Sequence, residues 1–195
     1  MRRFTIIIIA LAAVLALTMT TCENEADSDP TYEYGPGGGI IFYHSEAGFT
    51  MTDDPKVYHY LEAALTDFGA LAWATEVFES TGIAGTETGF GTGKKNTALI
   101  LAVDENAPAA KACDTYSKKG CTDWFLPSKD ELNVLYEFYA AHGSGSYANF
   151  KRKDYWSSSQ KSSDYAWAQD FYDGEQSEIY KWWYQTVYVR AIRAY

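Results

Sequence analysis

The chain has 195 residues, a formal net charge of −10 and many aromatic side chains: 6 Trp, 16 Tyr and 10 Phe. That length suits one domain with a real core, and an acidic surface disfavours nucleic acid and anionic membranes as partners. Three cysteines and three histidines, none paired at ligand spacing, supply no metal framework and imply no cofactor.

The N-terminus reads as an export signal. Met1-Arg2-Arg3 is a positive n-region, and Phe4 to Leu17 is an almost unbroken apolar run. The run is too short for a comfortable membrane span, which needs about 20 apolar residues. Thr18, Thr20 and Thr21 lead to Cys22, a cysteine in lipobox position, although Thr21 stands where Gly or Ala is usual. The expectation is a signal peptide over 1–21, with Cys22 lipidated as the first mature residue and the membrane as a partner through that anchor. The predicted place is the cell envelope, at the outer membrane or cell surface. Cleavage removes Arg2 and Arg3 and no acid, taking the charge from −10 to −12. The acidic stretch that follows predicts a tether over 22–33, ahead of a globular domain over 34–195.

Within that domain, Tyr34 to Gly39 (YGPGGG) reads as a flexible lead-in, and Ile40 to Tyr43 as a buried strand. Tyr58 to Ala64 fits strand or helix equally by periodicity, while Thr81 to Gly93, rich in Gly and Thr, reads as loop. Pro108 suits a first helical turn, followed by an apolar stripe of Ala109, Ala112, Cys113 and Tyr116. With Cys22 lipidated, Cys113 and Cys121 form an even pair in an oxidising compartment. A disulfide there would add roughly 2–3 kcal/mol by closing a short loop; two free buried thiols are the alternative.

Ser128 and Glu131 make a capping box for a second helix, whose stripe is Leu132, Leu135, Tyr136 and Tyr139 and whose stop is Gly143. From Tyr155 the pattern turns to β. Tyr165, Trp167, Gln169 and Phe171 alternate with Ala166, Ala168 and Asp170, and Asp173-Gly174 marks a hairpin turn. Thr186 to Tyr195 closes the chain, with Val187 and Val189 facing one way and Tyr188 and Arg190 the other. Helices and strands are segregated, which predicts an α+β single domain.

Motifs for catalysis mostly fail. Around Gly91-Thr92-Gly93-Lys94-Lys95, a phosphate loop would need glycine where Thr88 stands and Ser or Thr in place of Lys95. Neither His44, His59 nor His142 sits in a zinc-protease spacing, and no nucleophile elbow occurs. Aligning Gly174 with the glycine of a calcium loop puts Gln169 and Phe171 on ligand positions, so that pattern fails too. A lectin-like calcium site across loops and a hydrolase built on Asp170 and Glu175 stay as lesser readings. The positive signal is aromatic: Trp156, Trp167, Tyr172, Tyr180, Trp182, Trp183 and Tyr184 exceed what a small core readily hides, and flat rings stack on sugar faces. Lys151, Arg152 and Lys153 add a basic rim. Tyr172, Tyr180, Trp182 and Trp183 with Lys151, Arg152 and Lys153 are the candidate ligand-binding set.

Six motifs, in order, carry a resemblance. They are Gly38 to Tyr43, Tyr60 to Ala64, Gly91 to Thr97, Asp123 to Leu132, Tyr155 to Ser159 and Val189 to Ala194. Together they resemble the Lcl C-terminal domain family, named for a bacterial collagen-like adhesin. The resemblance implies a C-type-lectin-like fold with two helices packed beside small twisted antiparallel sheets, and makes Tyr58 to Ala64 a strand. It implies structural roles for Ser128, Glu131, Trp124, Leu126 and Trp156, and a buried acid paired with Arg190 or Arg193. It implies a surface setting, a homotrimer and a sulfated glycosaminoglycan ligand, and no catalytic set. The resulting expectation is a surface-displayed, non-enzymatic binding domain for carbohydrate or host matrix. The alternative is an envelope scaffold lipoprotein with a protein partner.

Overall fold

A computed structural model describes residues 32–142, 149–182 and 187–195. Nine elements follow in order: β1 (Ile40–Met51), β2 (Asp54–Ala63), α1 (Gly93–Val103), α2 (Pro108–Asp114), α3 (Lys129–His142), β3 (Asp154–Gln160), β4 (Tyr165–Asp170), β5 (Gln176–Tyr180) and β6 (Ile192–Ala194). They build two antiparallel three-stranded sheets, β1-β2-β6 and β3-β4-β5, with three helices, so the domain is α+β. The signal segment, Cys22 and most of the tether lie outside the described residues, as do Gly143, Trp183 and Thr186. Tyr32 and Glu33, at the end of the expected tether, already touch the domain. The Tyr32 ring meets Phe138 edge-on, and Glu33 O accepts the Ile41 N–H at 2.9 Å.

The closing segment 187–195 joins the two sheets. Tyr188 exchanges backbone hydrogen bonds with Asp154 and Trp156 of β3, while β6 pairs with β2 and Ile192 with Phe125. Alternation along these strands feeds two cores. Trp124, Leu126, Trp156, Val187, Val189 and Ala191 enter one, beside Trp73 and Ile100. Phe125, Tyr155 and Ile192 enter the other, with Leu61, Leu132 and Phe171. The period of two in extended chain makes this division possible.

Two buried glutamates are held by glycine turns. The Tyr34–Gly39 stretch is an ordered turn and not a flexible lead-in. Gly37 and Gly39 N–H groups donate to Glu62 Oε1 and Oε2 at 2.9 and 2.7 Å, and Arg193 reaches the same carboxylate at 2.6 Å while also gripping Asp123. Around Gly91 and Gly93 the backbone takes the place of a phosphate cradle for an internal acid. Gly91 N–H donates to Glu131 Oε1 at 3.0 Å, and a Cβ on Gly93 would fall 2.2 Å from Glu131 Oε2. Burial pushes the Glu131 carboxyl up to about 7 against the pull of these donors. The other arginine of the resemblance, Arg190, pairs with buried Asp67 at 2.6 Å.

The capping box forms as read: Glu131 N–H donates to Ser128 Oγ at 3.2 Å, and Ser128 N–H to Glu131 Oε2 at 2.7 Å. Pro108 occupies the first turn of α2. Helix α1 is additional to the two that the motifs imply. The expected disulfide is absent: Cys113 and Cys121 are free thiols. Cys113 lies on the inner side of α2 with no exposure, and burial raises its thiol well above the ordinary value. Cys121 belongs instead to a turn bridged to Lys118, where its carbonyl accepts the Trp124 indole N–H at 3.2 Å.

Candidate binding surface

The hairpin of β4 and β5 sets the surface. Its register pairs Tyr165 with Tyr180, Trp167 with Glu178 and Gln169 with Gln176, so these six side chains share one face. The other face carries Ala166 and Ala168, fully or almost fully buried in the first core. Small side chains inside leave room for Trp73 and Trp156 in that core, and the aromatic side chains of β4 are turned outward. The alternation holds along β4, with the larger rings on the half-exposed side, but Phe171, read on the side of those rings, lies past the strand and is buried in the second core.

On that outer face the rings form a ladder. Tyr165 and Tyr180 lie 4.2 Å apart between centroids, and Trp182 follows at 6.0 Å from Tyr180. A hydrogen bond with Tyr180 is the main cause that lifts the Tyr165 phenol to about 12. Tyr180 and Trp182 are 44% and 43% exposed, a large apolar exposure for adjacent rings. Beside them, Trp167 receives two ammonium groups, Lys129 at 3.9 Å and Lys161 at 5.0 Å from its ring centroid. Lys161 also meets Glu178 at 3.1 Å, and Gln169 anchors the far end of the face through Asn133 of α3 at 2.8 Å.

The seven residues read from sequence fall into two groups. Tyr172 lies in the turn between β4 and β5, with the Arg152 guanidinium 4.1 Å above its ring. Lys151 and Lys153 are exposed on the same stretch as Arg152. Tyr180 and Trp182 lie at the opposite end of the hairpin, about 15 Å away at the rise of an antiparallel strand. Trp183 is outside the described residues. Of the other surplus aromatics, Trp167 lies on this face although the candidate set omits it, and Trp156 is buried in the core; Tyr165, Lys129 and Lys161 are site neighbours that the sequence did not single out. Strand alternation signals the two rings; nothing local in the sequence brings Lys129 across from the start of α3.

The acids of the hairpin shape its turn. Asp170 Oδ1 accepts the Tyr172 N–H at 2.7 Å, and Asp173 Oδ1 accepts the Glu175 N–H at 3.0 Å. Among the described residues no group of three or more His, Cys, Asp or Glu side chains could hold a metal ion.

A profile of the Lcl C-terminal domain family matches residues 66–193 of the chain, beginning after β2. Among solved structures, a fimbrial protein from Bacteroides ovatus superposes with a TM-score of 0.53 at 16% identity, over 88% of this chain and 46% of that chain. At that identity the likeness is one of fold, and the chain spans just under half of that protein's length. No curated protein matches.

Proposed function

The chain belongs to the Lcl C-terminal domain family, and from that premise we propose that it is an adhesin-like carbohydrate-binding module displayed outside the cytoplasm. The observation that carries this reading is the outer face of the β4–β5 hairpin, where Tyr165, Tyr180 and Trp182 form a ring ladder beside a tryptophan flanked by two lysines. Ring faces and edges of this kind pack on the apolar faces of sugars. Lys129 and Lys161 supply ammonium donors for carboxylate or sulfate groups, which makes an acidic glycan the preferred class. The N-terminal segment supports export, and we assign Cys22 as the lipid anchor on the membrane. The lectin-like architecture is part of the same proposal, as is binding without turnover.

The test is a glycan and glycosaminoglycan array probed with the chain from Glu23 onward at physiological salt. Selective, saturable binding that Trp167→Ala removes supports the reading. A silent array from folded protein refutes it and turns attention to a protein partner on the same rings, to be sought by crosslinking in intact cells. The anchor is tested separately by mass spectrometry of the membrane-extracted N-terminus, where an unmodified Cys22 contradicts it.

A further inference from the structure

A cavity of about 420 Å3 lies next to the ladder, lined by Ala72, Ala74, Glu76, Glu79 and Trp182. Its size falls within the ordinary range for small-ligand sites, about 300–1,000 Å3. Two alanine methyl groups leave the space open, and the backbone around them is fixed. Trp73 and Ala74 N–H groups both donate to Lys181 O, at 2.8 and 3.4 Å. The Trp73 ring turns away into the core, its indole N–H on Ser157 O at 2.8 Å.

The charges around this cavity are arranged unequally. Lys181, the residue before Trp182 in the chain, is a buried cation. Its ammonium donates to Thr81 O, Gln160 Oε1 and Ser163 O at 2.7, 2.9 and 2.6 Å and lies 4.9 Å from the Trp73 ring centroid. All three of its donors are thus spent inside the fold. Trp182, the next residue, is exposed and walls the cavity. Glu76 and Glu79 form no salt bridge among the described residues. An apolar floor, an indole wall and two carboxylates without a cation make a set that matches a group with an alkyl stem and a positive head.

We infer that this cavity is a second binding site, for an organic ammonium on an alkyl stem: the protonated side chain of a lysine in a peptide partner. The stem packs on Ala72 and Ala74, the head lies against the Trp182 ring, and Glu76 and Glu79 take its N–H donors. The inference shares Trp182 with the carbohydrate surface but stands whether or not sugar binds on the hairpin face.

Isothermal titration of the full chain in detergent micelles at low salt tests it. The probes are Nα-acetyl-lysine methylamide and glucosamine, with Nα-acetyl-norleucine methylamide and N-acetylglucosamine as uncharged counterparts. Nα-acetyl-lysine methylamide binds saturably, and the uncharged probes do not. Glu76→Gln with Glu79→Gln weakens binding by at least about fivefold, the value of a modest ion pair, and Trp182→Ala does the same. Glucosamine bound as tightly as Nα-acetyl-lysine methylamide overturns the assignment to a lysine side chain. Equal binding of charged and uncharged probes overturns the inference, as does no binding at all or affinity unchanged in the double glutamine variant. That variant changes an exposed and a half-buried acid that form no salt bridge among the described residues, so it keeps the inference testable should Trp182→Ala fail to fold. Array binding that survives the glutamine changes while amine binding fails separates this inference from the carbohydrate reading.

Discussion

Glu62 meets the glycine turn, the strand β2 and the closing strand at one point, since its carboxylate takes two backbone N–H donors and the Arg193 guanidinium. Glu62→Gln leaves Arg193 buried with Asp123 as its remaining acid and turns an amide toward N–H groups that need an acceptor. Breaking a buried pair from one side costs about 3–5 kcal/mol, so urea unfolding should show a loss of that order. A loss under about 1 kcal/mol, typical of an exposed pair, would contradict the role assigned to this carboxylate. Lys181 gives a prediction of a different kind. Burial lowers its pKa from 10.5 to about 8. The folded chain thus releases the proton first, and between pH 8 and 10.5 the unfolded chain binds more protons, so this group makes stability rise with pH across that window. Lys181→Met should remove that rise in thermal melts. Equal slopes in both proteins would refute the buried ammonium.

The β4–β5 hairpin depends on Gly174, which has φ +87 and lies so close to Tyr136 that a Cβ would sit 2.4 Å from Cε1. Gly174→Ala combines left-handed strain with that clash, and should cost about 1–3 kcal/mol. It should also weaken glycan binding through the hairpin; unchanged stability would show that α3 can yield. This turn was legible in the sequence from Asp173-Gly174, as α3 was from Ser128 and Glu131, because the signals are local. Helix α1 was not. Its N-cap Thr92 spends its hydroxyl on Glu87 O and Gly89 O instead of capping the helix. The Tyr34–Gly39 turn misled for a related reason: glycine content reports freedom, while the partner that removes it, Glu62, lies more than 20 residues away in the chain. The disulfide was misread because even spacing of Cys113 and Cys121 says nothing of a helix that turns one thiol into the core. At the site, Trp167 could be read from alternation, but its lysines come from β3's end and α3's start.

At the scale of the whole molecule, the closing segment binds both sheets and the hairpin face is left outside the two cores. The fold thus presents on the β4–β5 hairpin a face with two exposed rings, Tyr180 and Trp182, that neither core uses. Two clusters compete for the role of binding surface: Trp167 with the Tyr165–Tyr180–Trp182 ladder, and Tyr172 with Lys151, Arg152 and Lys153. The measurement that separates them is the dissociation constant for the strongest array glycan, compared among the wild type, Trp167→Ala and a Tyr172→Ala, Arg152→Ala double variant. Trp167→Ala should lose roughly tenfold or more, as for a central aromatic contact, and the double variant should change little. The reverse order, or equal affinity in all three, would contradict the hairpin face as the binding surface.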